Sequence, residues 1–159
     1  HGEKEVDMRI LRKEKGMTLI EDCYNASPES MRAALDVLSA VAASKGQRAA
    51  ALLGDMLELG EYSRLMHDQV GQYAAEKKVG YLFCYGKMAD VVAEAAIKRG
   101  IRAENVFVSL DTKDPDGMAD MILSALQPGN VLLVKASRGV AAENVIDCLR
   151  THFDRRVKK

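Results

Sequence analysis

With 159 residues, 48% of them hydrophobic, and only 12 Gly and 3 Pro, the chain can bury one real core and leaves little room for long disordered tracts. Its 23 basic and 23 acidic residues cancel, which argues against a general binder of nucleic acid or any other polyanion. No apolar run approaches the roughly 18 residues of a membrane span and none has the pattern of a signal peptide, so membrane insertion is not expected. Cys23, Cys84 and Cys148 are widely spaced, odd in number and without metal-ligand spacing, which reads as reduced thiols of a cytoplasmic protein.

In chain order, Val6–Leu11 and Met17–Asp22 are short apolar stretches, separated by Arg12-Lys13-Glu14-Lys15-Gly16, which reads as a reversal. The first is expected to be an edge strand. Ile20–Met31 then passes from an apolar run through Asp22, Tyr24 and Asn25 to Ser27-Pro28, a hydroxyl cap followed by the residue best suited to a first helical position. Met31, Ala34, Leu35, Leu38 and Val41 repeat at helical spacing over Pro28–Ala43, and Lys45-Gly46 stops that helix. Gln47–Leu53 reads as a buried strand and Gly54–Gly60 as the loop leaving it. The cycle continues with a helix over Ser63–Val79, a strand over Tyr81–Tyr85, a helix over Lys87–Arg99 and a strand over Asn105–Ser109. A helix over Gly117–Leu126, a strand over Val131–Lys135 and a helix over Ala141–Phe153 complete it; the basic end, Arg155–Lys159, reads as a solvated tail. Apolar strands alternating with helices predict right-handed crossovers and an α/β domain. Its mostly parallel sheet has about six strands, one of them an antiparallel edge strand, and is covered on both faces.

In that architecture the loops after the strands open on one edge, where α/β sheets bind ligands. Three of these loops are unusually polar: Asp22–Ser27, Gly54–Gly60 and Lys135–Gly139. Lys135, Ser137 and Arg138 offer two cations and a hydroxyl ahead of a helix start, suited to gripping a carboxylate. The same cations could instead neutralise nearby acids such as Asp22 or Asp55, and spacing alone does not choose. His67, near the start of a helix, reads as structural. Gly80–Lys87 is a false phosphate loop, with five residues between its glycines, Met88 after the lysine and a strand in between.

DCYNASPESMRAAL (Asp22–Leu35), LGDMLELGE (Leu53–Glu61) with His67 downstream, and LVKASRGVAAE (Leu133–Glu143) together resemble the carboxyl-terminal domain of the Mur ligases. Within that family they are most similar to the branch that adds D-alanyl-D-alanine to a UDP-N-acetylmuramoyl-tripeptide. The likeness runs over about residues 6–153, and it implies a Rossmann-like, three-layer domain with residues 1–5 and 154–159 flexible. It also implies a cytoplasmic ATP-dependent ligase of peptidoglycan synthesis, whose central domain carries the phosphate loop, Mg2+ and a modified lysine. UDP-sugar and central domains are missing from this chain, which is therefore expected to be a piece of a longer ligase, inactive by itself and supplying part of an ATP site and the dipeptide pocket. By the resemblance, Asp22 would meet the ribose, with Tyr24, Asn25 and Ser27 along the adenine and Arg9 nearby. Lys135, Ser137 and Arg138 would face the dipeptide carboxylate, with Asp55 lining the same pocket. Two departures stand beside these contacts: Ala136 where the family has Gly, and Ala142 where it has Met. The alternatives are a folylpolyglutamate synthase type of ligase, or a stand-alone flavodoxin-like binding module.

Overall fold

Six strands form a single sheet in the order β1-β2-β6-β3-β4-β5. They are β1 (Arg9–Glu14), β2 (Met17–Asp22), β3 (Arg48–Gly54), β4 (Tyr81–Tyr85), β5 (Val106–Ser109) and β6 (Asn130–Lys135). The helices are α1 (Pro28–Lys45), α2 (Ser63–Glu76), α3 (Ala89–Arg99), α4 (Pro115–Ala125) and α5 (Glu143–Val157). This computed structural model describes residues 9–14 and 17–157, with side chains from 17 to 151. Every pairing is parallel except β1 with β2. The expected α/β architecture, antiparallel edge strand included, is therefore the observed one.

Alternation along the strands builds two cores. Ile20, Ala51, Leu53, Leu82, Cys84 and Leu133 face α1, α2 and α3, while Leu19, Leu52, Phe83, Tyr85, Leu132 and Val134 face α4 and α5. Because both faces are covered, the central strands are apolar throughout: all six residues of β6 are buried. On the second face Phe83 stacks on Phe107 across the β4–β5 pair, with ring centroids 5.0 Å apart.

Local chemistry sets the helix ends. Ser27 Oγ accepts from the Ser30 amide at 3.1 Å and Ser30 Oγ accepts from the Ser27 amide at 2.8 Å, so a reciprocal cap opens α1, with Pro28 first in line. Gly46, in the left-handed region at φ 63°, closes it. Where boundaries differ from expectation, the cause is visible. Helix α2 ends at Glu76, not Val79, because Lys78 turns left-handed at φ 60° and lets the Val79 amide reach back to the Ala74 carbonyl. Helix α4 starts earlier, at Pro115, since the Asp114 carboxylate caps the Gly117 amide at 3.0 Å. At the edge, Arg12, Lys13 and Glu14 belong to β1, not to the reversal, pairing with Leu19, Thr18 and Met17 past a bulge. An edge strand tolerates such charges because only one side of its ladder is paired. The expected strand residues Val6, Asp7 and Met8 lie outside the described residues.

Helices α2 and α3 approach closely at Gly71, where an added Cβ would stand 2.3 Å from the Val92 carbonyl oxygen and 3.0 Å from Ala95 Cβ. In an exposed helix, Gly→Ala gains roughly 1 kcal/mol. Here the methyl group must push two helices apart, an overpacking cost of about 1–3 kcal/mol. Gly71→Ala is therefore expected to lower stability in urea unfolding. A variant more stable than the wild type would mean that the helices separate without cost.

Candidate functional site

The crossovers through α1, α2 and α3 lie on one face of the sheet, and α4 and α5 lie on the other. Strand β6 sits between β2 and β3, so the chain leaving β6 turns to one face while its two neighbours turn to the opposite face. A crevice opens where loops part in this way. The three polar loops read from the sequence are the three that border it.

Asp22 and Lys135 are register partners on β2 and β6, so their side chains stand together on the same face. Lys135 Nζ donates to Asp22 Oδ2 at 2.8 Å and to the Asn25 carbonyl at 2.8 Å. The lysine side chain is 1% exposed and the aspartate side chain 11%. Lys135 is thus paired with Asp22, one of the acids the sequence offered as its partner, and its charge closes the first loop onto the third. Ser137 adds the second loop. Its amide donates to the Asp55 carbonyl at 3.0 Å, its Oγ accepts from the Leu57 amide at 2.9 Å, and its hydroxyl reaches the Ala26 carbonyl at 3.5 Å.

Asp55 is buried, and its carboxylate accepts from the Lys87 and Met88 amides at 2.8 and 2.9 Å. These amides precede Ala89, so Asp55 caps α3, which is why that helix begins at Ala89 and not at the expected Lys87. Gly86 makes room for it, since a Cβ there would lie 2.4 Å from Asp55 Oδ2. His67 accepts from the Met56 amide through Nε2 at 3.0 Å and is 1% exposed, in keeping with a structural histidine.

What the rim presents to solvent is different. Tyr24, Asn25, Leu57 and Arg138 are exposed, and the Arg138 guanidinium carbon lies 4.3 Å from the centroid of the Tyr24 ring. Residues assigned by resemblance to two subsites thus touch each other. The Ser27 hydroxyl is engaged in the α1 cap. Arg9 lies in β1, and its side chain is outside the described residues. The two departures from the family pattern both turn inward. Ala142 is fully buried, and Ala136 packs where a Cβ on Gly54 would stand, 2.5 Å away, so the methyl group does not obstruct the rim. Helix α5 begins at Glu143 and not at Ala141, because Ala141 is left-handed at φ 57° after the short turn Arg138–Val140. The backbone partners at Ala26, Met56 and Leu57 were not identifiable from side-chain chemistry. Only the glycine spacing around the second loop hinted that its main chain approaches something closely.

Among the described residues no group of three or more His, Cys, Asp or Glu could hold a metal ion, and no helix is long and apolar enough to cross a membrane. Burial pushes the Cys23 thiol up to about 12, helped by Glu21 and Glu143, and pushes Cys148 up to about 11 with help from Asp116. Cys84 is raised as well, again chiefly by burial.

Residues 8–138 match the family model described as Mur ligase, glutamate ligase domain. The chain belongs to the Mur ligase family. A UDP-N-acetylmuramoyl-tripeptide–D-alanyl-D-alanine ligase of Bacillus subtilis (strain 168) is 33% identical over 139 residues, covering 87% of this chain and 29% of the relative. The enzyme of the same name from Haemophilus influenzae is 34% identical over 138 residues, covering 84% and 27%. Among solved structures, the MurF ligase of Thermotoga maritima in complex with ADP superposes with a TM-score of 0.71 at 26% identity, over 91% of this chain and 30% of that one. A MurF of Acinetobacter baumannii shares the fold at a TM-score of 0.74 and 24% identity, over 90% and 30%. The chain thus spans about three-tenths of the length of the Mur ligases it matches.

Two measurements check this geometry. Lys135→Met should cost roughly 3–5 kcal/mol in urea unfolding, because it leaves Asp22 buried and unpaired, and Lys135→Met with Asp22→Leu should recover most of that loss. A single variant within 1 kcal/mol of wild type, on the order of a surface pair, would show that the pair is not desolvated. Cys23 is buried and its thiol is pushed up to about 12, so iodoacetamide at pH 8 should leave it unmodified until urea unfolds the chain. Rapid labelling of Cys23 in the folded protein would contradict its burial.

Proposed function

We propose that this chain is the carboxyl-terminal domain of a UDP-N-acetylmuramoyl-tripeptide–D-alanyl-D-alanine ligase of peptidoglycan synthesis, contributing the dipeptide pocket and part of an ATP site. The observation that carries the reading is the convergence of the three motif-bearing loops on one rim, tied by Lys135 to Asp22 and by Ser137 to Leu57 and Ala26. The similarity to enzymes of that name over most of the chain supports it. So does the ADP complex of the Thermotoga maritima relative.

ATP would be the co-substrate: its γ-phosphoryl group would pass to the tripeptide carboxylate, giving an acyl phosphate and releasing ADP. The D-alanyl-D-alanine amine then displaces phosphate to form the amide. Phosphate handling and Mg2+ belong, in this proposal, to the rest of the ligase. The domain's own residues bind and orient. Asp22, buried and fixed by Lys135 at the crevice edge, is the acceptor for a ribose hydroxyl. Tyr24 and Asn25, both exposed, border the adenine, while Ser27 holds the start of α1 beside them. Arg138 takes the dipeptide carboxylate. It is exposed, and its stacking on Tyr24 keeps the guanidinium at the mouth, where a bidentate grip loses less side-chain entropy. Lys135, Ser137 and Asp55 support this arrangement from beneath.

D-Alanyl-D-alanine at millimolar concentration should shift the backbone amides of Lys135–Arg138 in NMR spectra of this chain, and Arg138→Ala should abolish the response. In the full-length ligase that variant should raise the KM for the dipeptide by about 10–100-fold, the worth of a charge-assisted pair of about 1.5–3 kcal/mol. Asp22→Asn should raise the KM for ATP more than that for the dipeptide. Unchanged shifts in Arg138→Ala would remove the carboxylate role, the reverse KM ranking would remove the ribose role, and no turnover of D-alanyl-D-alanine by the full-length enzyme would sink the reading.

A further inference from the structure

The second loop is held by three successive residues, each through its backbone. The Asp55 carbonyl accepts from the Ser137 amide at 3.0 Å, and the Leu57 amide donates to Ser137 Oγ at 2.9 Å. Between them the Met56 amide points the other way and donates to His67 Nε2 at 3.0 Å. Residues 55 and 57 are thus tied to the β6–α5 loop, and residue 56 to helix α2. The imidazole is itself fixed. Nδ1 lies 2.7 Å from the Ser63 carbonyl, one turn earlier in the same helix, and 3.3 Å from Ser63 Oγ.

The chemistry of these partners sets the tautomer. An amide N–H can only donate, so Nε2 must present a lone pair. A carbonyl can only accept, so Nδ1 must carry the hydrogen. A ring with one hydrogen, bonded to a main-chain group at each nitrogen, fits no role in proton transfer and fits one in holding a loop. That loop needs an external hold: beyond Leu57 the chain turns through Glu58 at φ 62° and Gly60 at φ 57°, and no regular element spans Asp55–Leu59.

We infer that His67 is a positioning residue of the crevice, acting through the Met56 amide to set where Leu57 and Ser137 stand. Ser137 in turn reaches Ala26, so the effect extends from α2 across all three loops to the rim where Arg138 and Tyr24 meet. Its catalytic consequence rests on the ligase reading above. Its geometric consequence does not.

The test uses His67→Leu, which keeps bulk but removes the acceptor, and His67→Gln, which restores an acceptor on a flexible chain. In the full-length ligase His67→Leu should raise the KM for D-alanyl-D-alanine by about five- to tenfold, the scale of one lost backbone hydrogen bond, with kcat held within about threefold. His67→Gln should recover most of the loss. In this chain, long-range 1H–15N spectra should show the hydrogen of His67 on Nδ1, and His67→Leu should move the amides of Met56, Leu57 and Ser137 together. A KM unchanged within twofold in a folded His67→Leu enzyme, or a hydrogen on Nε2, would overturn the inference. If His67→Leu does not fold, the tautomer and the recovery by His67→Gln decide it. A wild-type enzyme that does not turn over D-alanyl-D-alanine would sink the ligase reading alone, leaving the tautomer and amide shifts as the test of the positioning role.

Discussion

A lysine with 1% of its side chain exposed, at the end of the central strand, imposes more order on this domain than any other group on the rim. Removing an ammonium from water costs several kcal/mol unless an anion and further acceptors surround it. Lys135 finds both on the neighbouring strand and the loop that follows it: the Asp22 carboxylate beside it and the Asn25 carbonyl. That requirement fixes the path of Asp22–Ser27 and, with it, the angle at which α1 leaves the sheet. The pairing exists only because β6 is inserted between β2 and β3, so the charge and the topology specify each other.

Charged residues here divide by depth. Asp22, Asp55 and Lys135 are nearly or fully buried, and each has hydrogen-bonding partners within the chain. Arg138 and Tyr24, exposed at the rim, have each other's faces. A group whose bonds are already made inside the protein can orient a ligand-binding surface at little further entropic cost, whereas an exposed guanidinium is able to change partners when a carboxylate arrives. The motif residues are thus in two layers: Arg138, in the upper one, is free to change partners, whereas Asp22, in the lower one, would on the proposed reading meet a ribose hydroxyl in an orientation that Lys135 has already set.

This layering explains how much could be read from the chain beforehand. The strand–helix alternation, the Ser27-Pro28 cap and the gathering of three polar loops were legible because each rests on local pattern: a two- or 3.6-residue period, a cap residue, a glycine stop. The role of Lys135 was not, because KASR looks the same whether its lysine faces solvent or lies beside Asp22. Only the strand order, set by a crossover that returns past β4 and β3, brings residues 22 and 135 together. The bonds that Asp55 makes are hidden for a similar reason. Its partners are the amides of Lys87 and Met88, which carry no side-chain signature, and Gly86 gives only the faint signal of a residue that leaves space. Helix starts at Ala89 and Glu143 were misplaced by two residues because a side chain from a distant loop and a left-handed alanine, not local propensity, set them.

The departures from the family motif make the same point from the packing side. Replacing a glycine by alanine beside a binding loop would ordinarily crowd the backbone that meets the ligand. Here the extra methyl group is directed down, into the space that Gly54 leaves on the adjacent strand, where a second Cβ could not fit. Ala136 and Gly54 therefore form a complementary pair across β6 and β3, one supplying the methyl group and the other its absence. A position that looks functional in a motif can thus vary freely toward the core, provided its cross-strand neighbour gives up the equivalent volume. The surface above it keeps its chemistry because the substitution never reaches it.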